Sequence, residues 1–187
     1  MDPLGDPAGV TRTTMTNTIA AVASTAAIFL SGAAAGQGGD FRPIGVSSVG
    51  PWEIVVWGVG KRVQQCTLIR ARDAGGQASY GFLIDQKGLV VSVESAAWKL
   101  STGKVVPATI APAKGQPRDL NAMPVSAGRA NIDLAADDAL LSDLQVSEHA
   151  TVKIGAVTLK LPFDDFNAAR VTFEICVQKL GKDWTVN

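Results

Sequence analysis

Two cysteines, Cys66 and Cys176, constrain this chain more than any other feature, because a bond between them would tie together positions 110 residues apart. Whether they pair depends on the compartment, and the N-terminus speaks to that. From Ile19 to Leu30 the chain is apolar or small and uncharged, and Ser31-Gly-Ala-Ala-Ala-Gly36 follows. Ala33-x-Ala35 has the form a signal peptidase cleaves. A helical span of a bilayer needs roughly 20 apolar residues, so this shorter run reads as a signal h-region. Asp2, Asp6 and Arg12 fit a positive n-region poorly, and a start at Met15 would remove both acids. The alternative is an Ala-rich tail outside the folded part.

On the first reading the chain is exported, periplasmic or secreted. An even cysteine count in an exported chain is read first as a disulfide, here Cys66–Cys176. Two buried thiols are the alternative. Redox use is disfavoured, since the pair lacks the Cys-x-x-Cys spacing that lowers a thiol pKa.

Removing the first 35 of 187 residues leaves 152, enough for one domain with its own core. One Arg and two Asp lie in that leader, so 16 basic residues face 15 acidic ones in the remainder, a net +1. Such a balance offers no basic excess for phosphate neutralisation, which argues against nucleic acid as a partner. No transmembrane segment is expected after the leader. The domain reading is therefore residues 1–35 as extension and signal peptide, 36–50 as an irregular lead-in, and 51–187 as one β-rich domain.

Strand signals dominate that domain. Trp52–Trp57 and Val63–Ala71 are β-branched or aromatic runs separated by a Gly58-Val-Gly-Lys61 turn. Cys66 and Leu68 share one face of the second run, with Val63, Thr67 and Ile69 assigned opposite. Asp73-Ala-Gly-Gly76 is a strong turn signal. Ser79–Asp85 and Leu89–Glu94 flank Gln86-Lys-Gly88 as a hairpin. Lys104–Ile110, Arg129–Leu134 and Thr151–Leu161 are further strands, the last bent or paired across Gly155. The prolines and charges between Pro112 and Pro124 suggest a surface loop. Two helices are expected. One covers Asp137–Gln145; the other, Asp164–Lys179, carries Phe166, Ala169, Phe173, Cys176 and Leu180 on one stripe. The predicted class is mainly β, seven to nine strands in an antiparallel sandwich or barrel-like domain, with a short helix and a C-terminal amphipathic helix on the sheet.

No catalytic residues, cofactor or metal ligands are assigned. His149, the single histidine, falls in a polar connection and reads as a loop residue. No Gly-x-Ser-x-Gly elbow occurs. Asp137-Asp138 and Asp164-Asp165 fall at helix starts, where acids cap free N–H groups. Gly58-Val-Gly-Lys61 lacks the full phosphate-loop spacing and reads as a hairpin turn. Four tryptophans are many for this length, and Trp98 with Phe166 and Phe173 is the candidate ligand or partner surface.

The order of motifs resembles the invasion-associated locus B family of exported bacterial proteins. Trp52 and Val55 precede Cys66, and after the hairpin comes Trp98-Lys-Leu-x-x-Gly103. Then follow Asp138-Ala-Leu-Leu-x-x-Leu144, Val152-Lys-Ile and Leu159-x-Leu-x-x-x-Asp165-Phe-x-x-Ala169. The family's central cysteines are absent, and Cys176 stands in the final helix instead, so a neighbouring family of exported β domains fits comparably. The resemblance implies a compact periplasmic or secreted β domain and carries over no catalytic residues. Three functions follow. The first is a non-catalytic envelope-accessory domain with a protein partner in the cell envelope. The second is a small-ligand or lipid binder with a cavity between sheet and helix. The third is a hydrolase, requiring two or more of Asp133, Asp137, Asp138 and Glu148 to converge in one cleft.

Overall fold

The computed structural model describes residues 40–70, 78–134 and 137–185. The leader, its cleavage motif and the Asp73–Gly76 turn lie outside them.

The described chain is mainly β, in one antiparallel sheet of ten strands. These are β1 (Phe41–Val49), β2 (Trp52–Val59), β3 (Arg62–Arg70), β4 (Ser79–Asp85), β5 (Gly88–Glu94), β6 (Val106–Pro112), β7 (Arg118–Ser126), β8 (Arg129–Asp133), β9 (His149–Ile154) and β10 (Val157–Pro162). Helix α1 (Asp138–Gln145) joins β8 to β9, and α2 (Phe166–Val177) follows β10. The spatial order is β1-β2-β3-β4-β5-β8-β7-β6-β9-β10. Strands β1 to β5 form a meander. Strands β6, β7 and β8 form a second meander, and β9 returns through α1 to lie beside β6, which is Greek-key connectivity. The β5–β6 connection skips two strand positions, and the meander comes back to set β8 next to β5.

Alternation sends one face of each strand inward. Ile54, Leu68, Phe82, Val91, Ile132, Ala122, Ile110, Val152 and Leu159 all enter one buried cluster with Leu140 and Leu144 of α1. A single sheet whose two halves share one core must coil on itself. Tyr80 on β4 donates its hydroxyl proton to the Pro162 carbonyl at the end of β10. Trp52 on β2 likewise donates to the Asp164 carbonyl at 2.7 Å. Trp52, Phe82, Phe163 and Phe166 complete the contact as an aromatic group.

Helix α2 closes the structure over β1, β2 and β3. Cys66 and Cys176 form the expected disulfide, with Cα atoms 6.0 Å apart and both residues fully buried. Beyond α2 the tail pairs with the start of β3, through Val63 N–H to the Lys182 carbonyl and Trp184 N–H to the Lys61 carbonyl.

Several expectations are corrected. The lead-in at 36–50 holds an edge strand, β1, whose irregularity between Pro43 and Gly45 explains its weak signal. The surface loop at Pro112–Pro124 is mostly strand β7, with Pro124 beside a β-bulge where a missing N–H is tolerated. Val63 faces the core rather than the outer side, because Gln64 is an extra residue between the Trp57–Gln65 and Gly58–Val63 pairs. The Thr151–Leu161 segment, by contrast, is paired across Gly155 as expected, in the β9–β10 hairpin, where Gly155 has a φ of +60°. The final helix starts at Phe166 and ends at Val177, shorter than expected at both ends. Asp165 occupies its N-cap position in a left-handed conformation, but its side chain makes no capping bond, and Asp164 pairs with Arg70 instead.

Candidate functional site: a polar groove on the outer face

The residues that point away from the core on β4, β5, β8 and β7 form the site. Leu83, Val90, Ser92, Asn131 and Asp133 alternate with the buried Phe82, Val91, Val93, Ile132 and Ala130. Cross-strand register brings the outer set together: Leu83 lies opposite Val90, Ser92 opposite Asn131, and Val90 opposite Asp133. With Asp85, Lys87 and Gly88 of the β4–β5 turn, and Val125 and Arg129, they line a groove of about 280 Å³.

The groove has two chemically different ends. Asp85, Lys87 and Asp133 occupy one, and Asp85 Oδ1 already accepts the Lys87 backbone N–H at 2.7 Å. Arg129 occupies the other. It is only 7% exposed, yet among the described residues its guanidinium makes no ion pair and no hydrogen bond. Glu94 is its cross-strand neighbour on β5 but lies beyond ion-pair distance. Its stem is buried while its guanidinium nitrogens reach solvent at the groove, so the unpaired charge stays hydrated there.

Local backbone explains why Arg129 sits there. The register of β7 against β8 shifts between Pro124 and Ser126, leaving Val125 as a bulge residue directly before the turn that leads into Arg129. The turn is docked by Ser95 N–H to the Gly128 carbonyl at 2.8 Å and by Leu100 N–H to the Ala127 carbonyl at 2.8 Å. A Cβ on Gly128 would lie 3.1 Å from the Ser95 carbonyl oxygen, so glycine permits this close approach. Bulges of this kind re-aim side chains beside functional sites.

The residues singled out from sequence are distributed differently. Trp98, Phe166 and Phe173 are all buried within the core cluster, so they are corrected from a ligand or partner surface to packing residues. Their apolar area is buried within the cluster that the sheet and helices share. His149 opens β9, opposite Pro162. Of the four acids considered for hydrolysis, Asp133 alone lines the groove. Asp137 caps α1: its Oδ1 accepts the Leu140 N–H at 2.8 Å and its Oδ2 pairs with Arg118 at 3.1 Å. The Leu140 bond, helped by the Arg118 charge, holds that carboxyl below its ordinary pKa. Among the described residues no group of His, Cys, Asp or Glu is placed to hold a metal ion, and no helix is long and apolar enough to cross a membrane.

Arg129, Ser92 and Asn131 were missed from sequence as site residues. A weak signal existed, since each is a polar residue alternating with core residues in an otherwise apolar strand. Nothing in the sequence paired Ser92 with Asn131.

Comparison with protein-family models, with curated proteins and with solved structures finds no match to this chain.

Proposed function

We propose that this protein is a non-catalytic, exported domain of the bacterial cell envelope, similar in kind to the invasion-associated locus B proteins, and that it works by binding. The groove across β4, β5, β8 and β7 is its binding face. The observation that carries the reading is Arg129, whose stem is buried and whose guanidinium, without a partner among the described residues, opens onto the groove. A binding site keeps such a group unpaired until its ligand supplies the counter-charge. Of the acids that sequence alone would offer to chemistry, Asp137 is engaged with the α1 backbone and Arg118, and Asp133 alone reaches the groove. The coiled, disulfide-braced sheet supplies the rigidity that a binding face requires.

The test has two parts. Fractionation of an intact bacterial host, with N-terminal sequencing, is expected to find the chain outside the cytoplasm and starting near Gly36. Nitrogen-15 spectra of that protein, mixed with a low-molecular-weight periplasmic extract, are expected to shift at Leu83, Ser92, Asn131 and Arg129. Full-length chain confined to the cytosol, or shifts that avoid those positions, would overturn the reading.

A further inference from the structure

We propose that the groove binds a short zwitterionic peptide, its free carboxylate on Arg129 and its ammonium group toward Asp85 and Asp133. The inference rests on the binding-face reading and deepens it by naming the ligand.

Four observations converge. First, the Arg129 guanidinium, unpaired among the described residues and open to the groove, is the natural receptor for a carboxylate, which it meets with two parallel N–H···O bonds. Second, the groove is bipolar along one strand. Arg129 and Asp133 are the two ends of β8 on its outer face, with Asn131 between them. Four strand residues set their Cα atoms roughly 13 Å apart, from about 3.3 Å per residue. A fully extended tripeptide spans at most about 10–11 Å, and the Arg129 side chain covers the remainder. Third, the middle of the groove matches a peptide backbone. Ser92 and Asn131 face each other across β5 and β8, and supply a hydroxyl and a carboxamide, each able both to donate and to accept. Leu83, Val90 and Val125 offer apolar contact beside them. Fourth, 280 Å³ lies just below the size of ordinary drug-like pockets, about 300–1,000 Å³, which suits two to four small residues and excludes a long chain.

The acidic end decides against other anions. A dicarboxylate would bring its second charge to Asp85 and Asp133, whereas an ammonium group is attracted there. Lys87 lies at the same end and is exposed, as Asp133 is, so that end sets two carboxylates against one ammonium and remains net acidic.

Triglycine is the probe, titrated into the nitrogen-15-labelled domain and followed by calorimetry. Binding is expected to shift Ser92, Asn131 and the Arg129 side-chain N–H signals. Triglycine amide, which lacks the carboxylate, is expected to bind at least about tenfold more weakly, as loss of a charge-assisted pair implies. N-acetyltriglycine is expected to lose about threefold through the exposed acidic end. Because both comparisons use the wild-type protein, they stand even if Arg129→Gln fails to fold. Where Arg129→Gln does fold, it should bind triglycine and its amide equally.

Equal affinity for acid and amide overturns the carboxylate assignment, and equal affinity for the free and acetylated peptides overturns the zwitterion. If triglycine leaves the groove signals unmoved while periplasmic extract shifts them, the peptide inference falls and the binding face stands. If neither shifts them, both fall.

Discussion

Replacing both cysteines, as Cys66→Ala/Cys176→Ala, removes a bridge between positions 110 residues apart. In the chain-entropy relation a loop of that length restricts the unfolded chain by about 16 cal/mol/K, which is about 4.8 kcal/mol at 25 °C. That figure is a ceiling, and native disulfides of small exported domains contribute about 2–5 kcal/mol. The loss has a location as well as a size. The N-terminal half of α2 stays docked through Phe166, which packs on Trp52, Phe82 and Phe163. The C-terminal half holds Cys176 at the sheet and positions the tail that pairs with Lys61 and Val63. Urea unfolding of the double variant should therefore show a loss of about 2–5 kcal/mol. Hydrogen exchange should show lost protection first at Cys176–Val177 and at the Val63, Gly181 and Trp184 amides. Both sulfurs are buried, so a reductant should leave the wild-type protein intact until denaturant opens it. A loss below about 1 kcal/mol, or uniform exchange across α2, would refute the clamp argument.

Three further outcomes are expected. The Arg70 guanidinium, 8% exposed, pairs with Asp164 at 2.9 Å, lies over Trp52, and leaves Nη1 without a partner. Arg70→Met should thus stay within about 1.5 kcal/mol of wild type, while Asp164→Ala, which strands the cation, should cost about 1–3 kcal/mol; urea unfolding that reverses this order would refute the account. Asp137 is held below its ordinary pKa by the Leu140 N–H and Arg118, so its contribution is present above about pH 4 and fades as pH falls through the lower folded value. Leu140 amide exchange should accelerate on acidification over that range in wild type and show no such step in Asp137→Asn. Glu53 runs the other way: burial raises its pKa, so its ionised form opposes folding at neutral pH and the penalty disappears on acidification. Glu53→Gln should raise the melting temperature at pH 7 and leave it unchanged near pH 4, and a gain that persists in acid would contradict the burial cause.

Elements whose signal is local were legible in the sequence. The stripe Phe166, Ala169, Phe173, Cys176 marks α2 because its spacing alone fixes which side of a helix is apolar, and the same four residues are buried. Cys66 alternating with Leu68 put the thiol on the inner face of β3, so the bridge to α2 could be drawn before any coordinates. Asp137 as the α1 cap was equally local. Strands β1 and β7 were not legible. Their prolines and irregular register weaken the alternation, and their pairing with β2, β6 and β8 overrides what the residues prefer alone.

The sequence by itself determined an antiparallel β domain, its two helices and which faces are apolar, because those properties depend on neighbours within a few residues. Only the tertiary structure decided the site and its use. Trp98, Phe166 and Phe173 looked available for a ligand, and the coiling of the sheet consumed them in the core. Ser92 and Asn131, about forty residues apart, became facing partners because the long β5–β6 connection carries β6 two strands away and the β6–β7–β8 meander returns β8 beside β5. The bulge at Val125 then set Arg129 at the end of their groove. Strand order across a long connection is settled by which apolar faces bury together most completely, and that is a property of the whole chain.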